Sequence, residues 1–237
     1  MELRAGPVVM LFEPETTFLR YARLGDREIV RAIYGAVRDR NWDTLTPEVS
    51  DVQLSEAGGG FRLTFHAVCQ KGDVDFRWNG TISGGAQGTV TYTFDGTAHS
   101  TFLRNRIGLC VLHPIRECAG MPCTVEHTDG TIEQSAFPQQ ISPHQPFMDM
   151  RAISHTVVPG MTAEVRFAGE VFETEDQRNW TDASYKTYST PLALPFPVEI
   201  TEGTQVRQSV TIRLQGDIPA DSAHPSEADP AASGEHV

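Results

Sequence analysis

The residues best suited to chemistry lie in one stretch, Glu170 to Tyr188, which reads EVFETEDQRNWTDASYKTY. It holds the carboxylates Glu173, Glu175, Asp176 and Asp182, the cations Arg178 and Lys186, and Asn179, Trp180, Tyr185 and Tyr188. A connecting loop is normally short and rich in Gly, Pro, Asn and Ser. Here both charge signs mix with aromatic and amide groups. Gripping a polyol and moving its protons needs that mixture: carboxylates as bases or acids, a cation for a developing oxyanion, and an aromatic face for a sugar ring. The competing reading is a solvated loop laced with weak surface ion pairs.

Two further stretches carry imidazoles and cations. One holds Arg104, Arg106 and His113; the other holds His144, Gln145, Asp149, Arg151 and His155. Arg104 and Arg106 share one strand face and read equally as a solvated edge. His113, before Pro114 at a strand end, reads first as a structural histidine and second as a ligand contact. His144 sits beside Gln145 on a loop whose prolines fix its shape, and is the better functional candidate. His155, in AISHTVV, reads as core or surface. A metal set of His144, Asp149 and His155 can be drawn, but its spacing is not diagnostic, so neither a metal nor a cofactor is expected. The GxSxG elbow, the P-loop, a GxGxxG after a strand and HExxH are all missing, which argues against nucleophilic serine and nucleotide chemistry.

The elements that must position these groups are strands. Period-two alternation recurs at Phe61–Leu63–Phe65, Val74–Phe76–Trp78, Val90–Tyr92–Phe94, Ala163–Val165–Phe167 and Val206–Val210–Ile212–Leu214. Gly25-Asp26 marks a hairpin turn near the start, Asn79-Gly80 signals another, and Asp95-Gly96 is expected to close a strand. LRNRIGLCVLHP, Leu103 to Pro114, has the second half of a strand buried on both faces. Pro138 to Phe147 contains three prolines and is expected to be a loop of fixed shape. No long segment shows a capped period near 3.6, so few short helices are expected. The fold class is all-β: an antiparallel β-sandwich, one domain over residues 1–214. Residues 215–237 are too polar to offset ordering entropy and read as a disordered acidic tail.

The chain has 237 residues and a net charge of −12, of which the five acidic side chains beyond Gln215 account for part. The remainder is still acidic, which disfavours a nucleic-acid backbone or an anionic membrane as partner. The opening MELRAGPVVMLF is not expected to be a signal peptide, and no apolar run approaches spanning length. Cys69, Cys110, Cys118 and Cys123 are too scattered for a disulfide scaffold and fit a reducing cytoplasm.

Four strings carry a family resemblance: RAIYGAVRDRNWDTLTPEV, NRIGLCVLHP, TVEHTDGTIEQSAFPQQISPHQPFMDMRAISH and FETEDQRNWTDASYKTYSTPLALPFPV. They resemble the N-terminal domain of the bacterial D-apionate lactonases, over about Leu3 to Leu214. LRYARLGDREIVRAIY and the strands after it are also similar to the β-supersandwich of galactose-mutarotase-like proteins, a likeness of fold that carries function weakly. The first resemblance implies hydrolysis of a sugar-acid lactone, D-apionolactone, to D-apionate. Members of that family continue into a barrel-like middle domain and a C-terminal domain.

On this basis the leading expectation is a carbohydrate lactone hydrolase with carboxylate-activated water. Glu173, Asp176 or Asp182 would be the base, Lys186 or Arg178 the oxyanion partner and His144 the acid for the leaving alkoxide. Arg106, His113, Gln145, Arg151, Arg178, Asn179 and Trp180 would hold hydroxyls and ring. The alternative is a non-catalytic sugar-binding module, paired with a separate catalytic chain or with itself as a homo-oligomer. A mutarotase-like isomerase, which also needs one base and one acid, comes third.

Overall fold

The computed structural model describes residues 1–216. Its seventeen strands are β1 (Glu2–Ala5), β2 (Val8–Glu13), β3 (Phe18–Leu24), β4 (Arg27–Asp39), β5 (Glu48–Ala57), β6 (Gly60–Lys71), β7 (Val74–Gly84), β8 (Val90–Ala98), β9 (Phe102–Pro114), β10 (Pro122–His127), β11 (Ile132–Ala136), β12 (Phe147–Val158), β13 (Met161–Ala168), β14 (Phe172–Asp176), β15 (Ser184–Tyr188), β16 (Val198–Ile200) and β17 (Gln205–Gly216). One four-residue helix, α1 (Ile115–Cys118), and one 3-10 turn, Gln177–Trp180, are the only helical pieces among the described residues. None is long and apolar enough to cross a membrane.

Every paired neighbour is antiparallel. One ribbon runs β1-β2-β3-β4-β9-β15-β14-β12. The other runs β5-β6-β7-β8-β17-β13-β12-β10-β11. They share β12, and β16 adds a three-residue edge against the start of β9. The main core lies between the ribbons. It is built from the alternating apolar faces, with Phe12, Phe65, Trp78 and Phe94 in a chain of ring contacts at 5.2, 5.1 and 4.5 Å. The all-β antiparallel sandwich expected from the strand pattern is the fold observed.

Two turn signals fail for one reason. Asn79-Gly80 and Asp95-Gly96 lie inside β7 and β8, with strand pairing continuous through both. A Cβ on Gly80 would overlap the Phe65 ring, and one on Gly96 would meet Phe76. These glycines make room for an aromatic ring on the neighbouring strand. Gly25-Asp26 does turn the chain between β3 and β4. β17 runs to Gly216, two residues past the boundary read at 214, and the tail from residue 217 lies outside the described residues.

β9 is the strand on which the site is built. It is buried along nearly its whole length, as its apolar second half requires. Ile107, Leu109 and Val111 face the main core. Arg106, Gly108, Cys110 and Leu112 face the opposite way. There Cys110 and Leu112 join Ala32, Tyr34, Ala36 and Tyr188 in a second, smaller apolar cluster. The same alternation sorts β15, with Tyr185 inward and Lys186 and Tyr188 outward, and β14, with Thr174 and Asp176 inward and Glu173 and Glu175 outward.

Candidate active site on the outer face

A cavity of about 460 Å³ opens on this outer face, a size suited to a small ligand. Ala36, Gly108, Cys110 and Tyr188 form its floor, and Arg38, Trp42, Arg106, Glu175, Gln177, Trp180, Lys186, Ser189 and Leu192 its walls. Register explains the gathering. β15 lays Lys186 beside Leu112 and Tyr188 beside Cys110, and β14 lays Glu175 beside Lys186 and Glu173 beside Tyr188. β4 brings Arg38 opposite Arg106.

Lys186 Nζ lies 3.2 Å from Glu175 Oε1 and 5.4 Å from the centre of the Tyr188 ring. Gln177 Nε2 donates to the same Glu175 oxygen at 2.5 Å. No protein donor reaches Glu175 Oε2 among the described residues, so that oxygen can face a ligand or a water. Glu173 is buried beneath and serves as an anchor. Its Oε1 accepts from the Tyr188 hydroxyl at 2.6 Å and from the Leu192 amide at 2.7 Å. Burial, then the Glu173 hydrogen bond, holds the Tyr188 phenol well above its ordinary pKa, so it stays protonated. Gln145 Nε2 reaches the same hydroxyl at 3.4 Å.

Trp180 stands on the rim, 72% exposed, on the 3-10 turn that follows β14. An indole left open at the mouth of the cavity is a ready stacking face for a sugar ring. Trp42 and Phe196 pack edge to face at 5.0 Å on the far wall.

At Gly108 the backbone has φ +146°, and a Cβ would collide with the Gln208 amide. That buried amide accepts from the Leu109 amide at 2.8 Å and donates to Ser189 Oγ at 2.9 Å. Only glycine fits this position without moving the buttress that joins β17, β9 and the cavity wall.

Of the candidates named from sequence, the cavity brings together Lys186, Arg106 and Trp180, with Glu173 and Gln145 bonded to its floor. Asp176 lies on the inner face of β14. Its carboxylate caps the 3-10 turn through the Arg178 amide at 3.1 Å, pairs with the Arg178 side chain at 2.9 and 2.7 Å, and accepts from the Ser142 amide at 2.9 Å. Burial pushes its pKa up, but the Arg178 and backbone hydrogen bonds outweigh that and hold it below the ordinary value. Arg178 spends its other donors on the carbonyls of Pro138, Gln139 and Gln140, and Asn179 donates to the Ser142 carbonyl at 2.6 Å. This group staples the proline-rich loop to β14.

Asp182 and His144 are exposed and line no part of the cavity. Arg151 is exposed on β12 and donates to the Thr128 carbonyl beside a second, shallower hollow. His113 is buried on the inner face, 2.9 Å from Thr187 Oγ1 and 5.8 Å from the Phe137 ring. Burial, then the nearby His155, pushes its pKa down to about 3. Among the described residues no three His, Cys, Asp or Glu side chains converge as metal ligands would.

Sequence reasoning passed over Glu175, Gln177, Arg38 and Trp42 as site residues. The period-two signal was available for the first: in FETED, Glu173 and Glu175 share one face and Asp176 takes the other. Arg38 and Trp42 had no such signal, because their place in the site depends on β4 pairing with β9, about seventy residues later in the chain.

Comparison with solved structures shows the same fold at low identity. An aldose epimerase homologue from C. elegans matches with a TM-score of 0.57 at 9% identity, covering 91% of this chain and 98% of that one. Galactose 1-epimerase from Lactobacillus acidophilus matches at 0.54 and 6% identity, covering 89% and 92%. An α-N-acetylgalactosaminidase from Bifidobacterium bifidum matches at 0.54 and 12% identity, covering 94% of this chain and 37% of that one. In sequence, the chain is 44% identical over 189 residues to a D-apionate lactonase from Brucella anthropi. The match covers 79% of this chain and 31% of the relative, so the chain spans about a third of that enzyme's length. The family model of the D-apionate lactonase N-terminal domain matches residues 1–217. The chain belongs to the family of D-apionate lactonase N-terminal domains.

Proposed function

We propose that the outer-face cavity binds a sugar-acid lactone and that Glu175 and Lys186 open it. The observation that carries this is their pairing at 3.2 Å inside a sugar-sized cavity with Trp180 on its rim. A lactone is an activated acyl group and needs a base, an oxyanion partner and a proton for the ring alkoxide. Glu175 Oε2 takes a proton from water as its oxygen bonds to the lactone carbonyl carbon. The carbonyl electron pair moves onto oxygen, where the Lys186 ammonium meets the charge with the N–H groups it does not spend on Glu175. Collapse breaks the ring C–O bond, and the alkoxide takes the proton back from Glu175. Lactone and water become a hydroxy acid. In this reading Glu173 and Gln145 position Tyr188, Asp176, Arg178 and Asn179 hold the loop, and Asp182 and His144 take no part. The four buried thiols support a reducing, cytoplasmic setting.

The length comparison favours a second reading, a sugar-binding module. The curated lactonase is about three times as long as the stretch it shares with this chain, and residues outside that stretch could complete its chemistry. A mutarotase-like activity is not carried further, because the structural likeness is one of fold.

The test is acid release from a panel of aldonolactones, D-apionolactone included, by the 237-residue protein. Turnover that falls at least about a hundredfold in Lys186→Met, the scale for loss of an oxyanion partner, supports catalysis. Ligand-induced melting shifts without turnover support the module.

A further inference from the structure

The cavity has two ends of different charge. At one, Lys186 and Glu175 nearly neutralise each other. At the other, Arg38 and Arg106 line the wall, with Arg104 in electrostatic reach of Arg106. Arg106 lies six residues before Leu112, the partner of Lys186. At about 3.3 Å per residue, the backbones of the two ends stand roughly 20 Å apart.

None of the three guanidiniums forms an ion pair among the described residues. Glu173 attracts Arg106 from a distance, but its contacts are with Tyr188 and Leu192. Glu170 does the same for Arg104 without touching it. Arg106 is 5% exposed. A guanidinium has five N–H donors. Here one goes to the Asn105 carbonyl at 2.8 Å and one to the Pro191 carbonyl at 2.9 Å, while the buried Nε has no partner among the described residues. The ring centres of Phe196 and Trp42 lie 5.1 and 5.7 Å from the guanidinium carbon. Arg106 is thus held in place by neutral groups, with donors to spare. Burial, then Arg104, holds its pKa below the ordinary value, which marks a cation short of a counter-charge. A buried cation without an anion is costly, and a fixed guanidinium with open donors matches a carboxylate in two-point geometry.

We propose that this end of the cavity binds the carboxylate of an open-chain sugar acid, so that the site prefers an anionic aldonate to the neutral alditol of the same length. The inference rests on the cavity being the sugar site but does not require turnover: the acid lies with its carboxylate at the arginines, the reverse of the lactone, whose acyl carbon meets Lys186.

Calorimetric titration of the 237-residue protein at fixed salt tests it, with an aldonate, its alditol and inorganic phosphate as ligands. The expected result is aldonate binding at least about tenfold tighter than alditol, the scale of one well-placed charged hydrogen bond. Arg106→Gln should abolish that preference. Arg38→Gln should reduce it, and keeps the test open if the buried substitution prevents folding. Equal affinity for aldonate and alditol, a preference that survives both substitutions, or tighter binding of phosphate than of aldonate would each overturn the inference. Lactone turnover without an acid preference sinks this inference alone; an acid preference without turnover sinks the catalytic reading alone.

Discussion

Lowering the pH should unfold this domain through two buried histidines. His113 and His155 lie on the inner face, both close to the Phe137 ring, at 5.8 and 6.0 Å from it. Among the described residues neither ring nitrogen of His155 has a partner, and His113 keeps one bond, to Thr187. Burial pushes their pKa values down to about 3 and about 4, from 6.5 for an unperturbed histidine. Both are therefore neutral in the folded protein at pH 5, while in the unfolded chain both are mostly protonated. The unfolded state binds more protons below pH 6.5, so stability is full above that value and falls as the pH drops toward the folded values. At about 1.4 kcal/mol per pH unit, each histidine removes about 2 kcal/mol between pH 7 and pH 5, and the pair about 4 kcal/mol. That is a large share of the total stability of an ordinary domain. Urea unfolding at pH 7, 6 and 5 would measure the loss, and the His155→Leu variant should lose only about half as much. A variant with the same pH slope as the parent would refute the reasoning.

Three other substitutions separate the site from its supports. Asp176→Asn should cost roughly 2–4 kcal/mol in chemical denaturation, because it leaves Arg178 without its carboxylate and weakens the staple on the 138–142 loop. Gly108→Ala should give a strongly destabilised or insoluble protein, losing more than about 1 kcal/mol, since its Cβ meets the buried Gln208 amide; a thermal melt equal to the parent's would contradict this. Trp180→Ala should leave the melting temperature unchanged and weaken sugar binding by about threefold to tenfold in titration, the scale of one aromatic contact.

Much of the fold was legible because a half-buried strand must alternate, and Phe61, Leu63, Phe65, Val74, Phe76 and Trp78 do. The glycine signals misled at Gly80 and Gly96, where the residue answers to a ring on the next strand. A local pattern cannot distinguish that requirement from a turn. The site was legible as a stretch but not as a set of roles. Trp180 and Lys186 do reach the cavity. The sequence reading named Asp176 and not Glu175 as a candidate base, because composition ignores which face of β14 each occupies. Arg178 and Asn179 offered the right groups for a sugar, yet the structure spends them on the carbonyls of the 138–142 loop. Arg38 depends on long-range register and could not be found from its own neighbourhood.

The most direct test of the account compares two carboxylates in one assay. Rates of lactone opening would be followed for the parent protein, Glu175→Gln and Asp182→Asn. If the outer-face cavity is the catalytic site, Glu175→Gln should lower kcat about a hundredfold or more, the range for loss of a general base, and Asp182→Asn should leave it within about twofold. A fall in Asp182→Asn with Glu175→Gln unaffected would contradict the account.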